Sequence, residues 1–254
     1  AVRHALTRVE GFTVQGGLHG IRAEGAAVST IRGCTLRGQS GNGIFVVQSD
    51  HATIDDNRVA DAAGQGIVVK RAGFAYVRNN LVTRTGDWGI QIDNGDTPLP
   101  PVTGGHVLAF NTVYGCGRGV AAAGGIRLQN ATGEIRDNVA AANVGSAIKT
   151  DTAPTVVHHN AVSGSVTRFD AKSGAEPYLW ANVVTDPLLG DPAREDFTLQ
   201  QVAAGQGATS PAVDAGSGNA SERDIAGSTR SDGVADAGGA DIGCSNTGFG
   251  IANV

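Results

Sequence analysis

The chain has 254 residues with 24 acidic and 19 basic side chains, a net charge of −5 and no run of Lys or Arg, which excludes the basic footprint of a nucleic-acid binder. Aromatic residues make up 5% and glycine occurs 38 times, so an interior built from these residues is narrow and many-turned. No stretch approaches the roughly 18 consecutive apolar residues of a membrane span, and residues 1–10 lack the apolar core of a signal peptide.

Residue 1 is Ala and the chain contains no Met, so the sequence predicts that a segment upstream has been removed. The first repeat begins by Val9 without a cap, and that end of the chain is expected to be covered by the missing segment or by another chain. From there a small residue followed by Ile recurs as Gly20-Ile21, Gly43-Ile44, Gly66-Ile67, Gly89-Ile90, Gly125-Ile126 and Ala147-Ile148, with spacings of 23, 23, 23, 36 and 22. A second column keeps step with it. The segments IDDNRV, VRNNLV, LAFNTV, IRDNVA and VHHNAV place Asn57, Asn80, Asn111, Asn138 and Asn160 in register, with Cys34 and Phe12 holding the same place earlier.

Each repeat reads as short alternating strands separated by Gly, Asn or Asp. One coil of about 23 residues cannot bury its own inner face, so coils must stack about 4.8 Å apart. The inner columns become ladders of Ile, Val, Leu and Ala, and the asparagines a file of amides bonded to one another, in a turn whose left-handed backbone Asn tolerates. The expected fold is an all-β, right-handed, single-stranded parallel β-helix over residues 1–166, with an irregular segment, 167–254, packed on the helix end as a cap. Tyr178 and Trp180 are expected to cover that end. Cys34, Cys116 and Cys244 match no zinc spacing and leave the pairing of Cys116 with Cys244 open.

The residues carrying the period resemble the right-handed parallel β-helix superfamily, the pectate-lyase-like group of secreted carbohydrate-active proteins. The segments DPLLGDPAREDFTLQ, SPAVDAGSG and GADIG resemble the tail of bacterial exported β-helix proteins. The resemblance implies a secreted, extracellular or cell-surface protein with a polysaccharide or other glycan as partner, and a cleft on a strand face flanked by long loops. It does not imply one chemistry, because the fold carries many.

Two insertions mark such a face: residues 93–106 follow the Gly-Ile strand that starts at Ile90, and 115–124 precede the one that starts at Ile126. If the Ile residues point inward, one outward column reads Arg22, Phe45, Val68, Gln91, Arg127, Lys149 and the other Glu24, Val47, Lys70, Asp93, Gln129, Asp151. A polysaccharide lyase acting on a uronate polymer would use Lys149 as base, its proton affinity lowered by Arg127 one coil away, with Arg127 neutralising the substrate carboxylate and Asp93 completing the catalytic set. Asp93, Asp96 and Asp151 supply oxygen ligands of the kind Ca²⁺ takes. Lys70, Trp88, Gln91, Gln129, Asp151 and His106 would contact the glycan, with Trp88 as the main exposed aromatic. An inverting glycoside hydrolase would instead pair Asp93 with Asp151, two coils and about 9.5 Å apart. The other class is a non-catalytic structural, adhesive or glycan-binding module of a larger exported protein, whose mixed charges form a solvated face. His158 and His159 are expected on opposite sides of their strand and therefore not to share a metal.

Overall fold

A computed structural model describes residues 6–95, 105–202, 205–213, 215–217, 224–225 and 243. Asp96, Cys244 and the acidic run at 232–241 lie outside them. Strands build three parallel sheets whose members come once per coil. A long sheet takes Leu6–Glu10, Val28–Arg32, His51–Asp55, Phe74–Arg78, His106–Ala109, Gly133–Arg136, Thr155–His158 and Tyr178–Trp180. A short-strand sheet takes Thr13–Gln15, Thr35–Arg37, Arg58–Ala60, Leu81–Thr83, Thr112–Tyr114, Val139–Ala141 and Ala161–Ser163. The Gly-Ile sheet takes Ile21–Glu24, Ile44–Val47, Ile67–Lys70, Ile90–Asp93, Ile126–Gln129, Ser146–Thr150 and Thr167–Ala171. The result is the expected right-handed solenoid.

The core is the sum of three inward ladders. Ile31, Ile54, Val77, Leu108, Ile135 and Val157 come from the long sheet, Leu36, Val59, Val82, Val113 and Val162 from the short one, and the Ile column with Val46, Val69, Ile92 and Leu128 from the third. Each such side chain contributes about 1.5–3 kcal/mol of burial. Narrowness is enforced at the glycine before each Ile, where the Gly-Ile sheet passes so close to the short-strand sheet that a Cβ on Gly43 would stand 2.3 Å from Val59 Cγ1.

The asparagines lie in single file. Asn57 Nδ2 donates to Asn80 Oδ1 at 3.0 Å, Asn80 to Asn111 at 3.0 Å, Asn111 to Asn138 at 2.9 Å and Asn138 to Asn160 at 2.9 Å. Each Oδ1 also accepts the backbone N–H of the residue one coil before, and Asn182, which the sequence reading did not include, extends the file at 3.0 Å. The left-handed residue of this turn is not the asparagine. It is the residue before it: Gly33, Asp56, Asn79, Phe110, Asp137, His159 and Ala181 all have positive φ. The asparagine is selected instead by its buried amide, which satisfies both its own coil and the next.

Coiling continues past residue 166, since Thr167–Ala171 pairs with Ser146–Thr150, Tyr178–Trp180 pairs with Thr155–His158, and Val183 bridges Ala161. The described part of the tail lies along the flank. Leu189, Phe197, Leu199 and Ala212 bury themselves against Leu81, Val139, Ala141 and Ala161, outward residues of the short-strand sheet. Glu195 fixes this placement by accepting from Arg37 Nη2 at 3.0 Å and Arg84 Nη2 at 2.7 Å, and Ser217 N–H donates to Asp137 Oδ1 at 2.8 Å. The tail runs along the flank because the outer face of that sheet carries Leu81, Tyr114, Val139, Ala141 and Ala161, whose apolar surface needs cover.

Candidate functional site

The Gly-Ile face has the register that the period predicts. Gln91 stands between Val68 and Arg127, Arg127 beside Lys149, and Asp93 between Lys70 and Gln129. Exposure differs from expectation along the first column, where Val68 and Gln91 are buried. Phe45 carries the Arg22 guanidinium 5.3 Å above its ring and the His19 ring at 5.3 Å. Trp88 is 4% exposed, with the Arg127 guanidinium 5.6 Å from its centroid, so it supports the sheet rather than forming an open aromatic platform.

The charged groups of this face engage one another. Arg127 donates to Asp151 Oδ2 through Nε at 2.8 Å and Nη2 at 2.6 Å. Lys149 Nζ meets Asp170 Oδ2 at 2.7 Å, Lys70 Nζ lies 3.7 Å from Asp93 Oδ2, and Arg22 meets Glu24 at 3.0 Å. Asp170 was not singled out in the sequence, although it stands one coil after Lys149 in the same column. Lys149 donates to its carboxylate and Ser146 Oγ–H adds a second bond, which together hold that carboxyl below the ordinary aspartate range. The premise for Lys149 as a base therefore changes: its terminal nitrogen is engaged by the Asp170 carboxylate one coil on, rather than facing Arg127 alone. Between these pairs runs a file of amides, Gln65 Nε2 donating to Gln91 Oε1 at 2.6 Å and Gln91 Nε2 to Gln129 Oε1 at 2.9 Å. The three are not register partners, so the repeat alone does not announce this file.

The proposed calcium ligands do not form a cage. Asp93 accepts from Gly95 N–H at 2.9 Å as well as facing Lys70, Asp151 is committed to Arg127, and Asp96 is outside the described residues. Among the described residues no three His, Cys, Asp or Glu side chains converge on a point that could hold a metal ion. Asp93 and Asp151 also do not act as a facing carboxyl pair, since the side chain of Asp151 reaches back one coil to the Arg127 column.

His106 is a wall residue, not a glycan contact. It is 1% exposed, its Nδ1 accepts from Ala75 N–H at 3.0 Å, and its Nε2 lies 3.2 Å from Asn94 Nδ2. Asn94 and His106 stand at the two ends of the first insertion and tie its base shut. The second insertion is held onto the preceding coil, with Gly119 N–H donating to Gly86 O at 2.7 Å. Burial lowers the His106 pKa to about 4. The neutral ring is the native form, so between pH 6.5 and about 4 the unfolded chain binds the extra proton and stability falls as pH falls. The expected loss across that window is about 3 kcal/mol by the standard conversion. Urea denaturation of the wild type and His106→Gln at pH 7.5, 5.5 and 4.5 checks this, because the variant lacks that component and should show a flatter profile.

The two histidines of VHHNAV also depart from expectation. Their Nδ1 atoms lie 2.7 Å apart, His158 Nε2 bonds Glu134 Oε1 at 2.8 Å, and the Trp180 ring stacks on His158 at 4.4 Å. Strand alternation fails between them because His159 has positive φ and leaves the strand. Trp180 and Tyr178 belong to the last strand of the long sheet, so they stand at the solenoid's end as expected, with both side chains exposed.

A family model described as a right handed beta helix region matches residues 3–183. No curated protein and no solved structure matches the chain.

Proposed function

Since the chain belongs to the right-handed β-helix family, whose fold is compatible with carbohydrate-active and structural roles, we propose that it is a glycan-binding module of an exported cell-surface protein, with a polysaccharide lying along the Gly-Ile face. The observation that carries this reading is the pairing of that face: Arg127, Lys149, Lys70 and Arg22 each engage a carboxylate, so the arrangement offers fixed hydrogen-bonding groups and no free base. Gln129, at the end of the amide file, has no acceptor for its Nε2 hydrogens among the described residues and can turn them to a ligand hydroxyl, and Lys70 retains 40% exposure at its side chain. Polar or charged groups stand on four successive coils, from Lys70 through Gln91 and Asp93 to Arg127 and Gln129 and on to Lys149, which suits a polymer whose own groups repeat. A lyase is disfavoured by the same pairing, because the base must reach the substrate carbon and the Lys149 nitrogen is already engaged by Asp170.

The test is retention on a panel of immobilised polysaccharides, uronate-containing and neutral, together with ultraviolet absorbance of the same mixtures. The expected result is binding that Gln129→Ala combined with Lys70→Ala weakens about tenfold, a loss of about 1.4 kcal/mol, with flat absorbance. Growth of absorbance from an unsaturated product, abolished by Lys149→Ala, overturns the reading in favour of a lyase. Absence of retention across the panel removes glycan binding.

A further inference from the structure

Away from the Gly-Ile face, a cleft of about 570 Å³ opens where the tail crosses the short-strand sheet. That volume lies within the roughly 300–1,000 Å³ of small-ligand sites. Its floor follows from a change of side-chain size along one column, Tyr114 to Ala141 to Ser163, which are register partners in successive coils. A large ring followed by two small residues leaves a depression that the coils cannot fill themselves. The opposite wall is the tail from Val184 to Leu189, with Gln200 closing it. Tyr114 is held by an edge contact to Phe197, ring centroids 5.4 Å apart, so floor and wall are one packed unit.

The chemistry of the lining selects a ligand class. Arg168 lies on an exposed stretch of strand at the cleft, and among the described residues no carboxylate is within ion-pair distance of it. Arg22, Arg127 and Lys149 on earlier strands of the Gly-Ile sheet are paired, whereas Arg168, on its last strand, has no ionic partner among the described residues and can offer its planar fork to an oxyanion. Asp186 also lines the cleft and caps its own turn by accepting Leu188 N–H at 3.0 Å. One guanidinium fork matches one carboxylate bidentately, and with Asp186 also in the lining the cleft carries too little positive charge to balance a dianion such as phosphate. The remaining polar groups, Ser163 Oγ, the Gln200 amide and Asp186, suit hydroxyls, while Pro187 and Tyr114 offer apolar surface to the C–H face of a ring.

We propose that this cleft binds a single uronic acid unit, its carboxylate on Arg168 and its hydroxyls on Ser163, Asp186 and Gln200. The proposal rests on the glycan-binding reading above and adds a second, independent site to it. A non-reducing end or a branch of the polymer held on the Gly-Ile face would place such a unit here.

The test is titration of the whole chain with free glucuronic acid, glucose and acetate, followed by amide NMR and calorimetry. Glucuronic acid is expected to shift the Gly164, Thr185 and Gln200 amides and to bind at least tenfold more tightly than either glucose or acetate, which each carry only part of its groups. Arg168→Ala should abolish the preference for glucuronic acid over glucose and Arg168→Lys should retain part of it; both keep the fold, since the side chain is exposed. Unchanged glucuronic acid binding in Arg168→Ala, or shifts confined to the Gly-Ile face, overturns the proposal. If immobilised polysaccharide still retains the chain while these cleft amides stay silent, the cleft proposal alone fails; if retention is absent too, the glycan reading fails with it.

Discussion

Asn111→Ala is expected to lower unfolding stability by about 4 kcal/mol, read as a fall in the urea midpoint. Asn111 is fully buried at the centre of the amide file. Its Oδ1 accepts both the backbone N–H and the side-chain amide of Asn80 at 3.0 Å, and its Nδ2 donates to Val77 O and Asn138 Oδ1, each at 2.9 Å. Alanine removes all four bonds and leaves a buried backbone donor without a partner, at about 1–3 kcal/mol for each orphaned group. A cavity adds to this. Because each coil touches only its neighbours, a defect in the middle of the stack weakens the coupling of its two halves. Asn182→Ala provides the comparison. It ends the file, is only partly buried, and is expected to cost no more than about 1.5 kcal/mol. Equal losses at the two positions would contradict a cooperative file.

Gly66→Ala is expected to cost about 3 kcal/mol or more, although only one methyl group is added. The new Cβ would stand 2.3 Å from Val82 Cγ1 and 2.6 Å from Gly89 O. A rotamer change can move the valine methyl, but the carbonyl belongs to the backbone of the next coil and moves only if the stack separates there. Overpacking of this kind lies at or beyond the upper end of the usual 1–3 kcal/mol range. Val82→Ala in the same chain should recover part of the loss and leave the carbonyl clash. Gly207→Ala, where nothing lies within 4 Å, should change stability by less than about 0.5 kcal/mol. The measurement is again denaturant unfolding of the single and double variants.

The fold was legible because its period is written twice, in the Gly-Ile pairs and in the asparagines, and linear spacing in a solenoid becomes spatial adjacency. Gln91 beside Arg127 and Asp93 beside Lys70 follow from that arithmetic alone. The departures arise wherever a side chain acts across coils or the backbone leaves the strand. Lys149 was read against its neighbour toward the N-terminus, Arg127, while its ammonium bonds Asp170 on the other side. Asp151 was read as outward in the Asp93 column, yet it follows the end of its strand and turns back to Arg127. Alternation placed His158 and His159 on opposite faces, and a positive φ at His159 brings them together. The tail was read as an end cap because strand edges need cover, but the apolar outer residues Leu81, Val139 and Ala161 draw it onto the flank. The cleft beside Arg168 depends on that placement, so no sequence spacing announces it.

Every site assignment depends on coils stacked in register, and the side-chain amides of the asparagine file test that stacking most directly. In NMR of the whole chain, the Nδ2 hydrogens of Asn57, Asn80, Asn111, Asn138 and Asn160 should resist exchange with solvent, with scalar coupling from each donor nitrogen to the next asparagine's Cγ across the hydrogen bond. Rapid exchange of these amides at the rate of exposed side chains, without such coupling, would contradict the architecture and the two sites built on it.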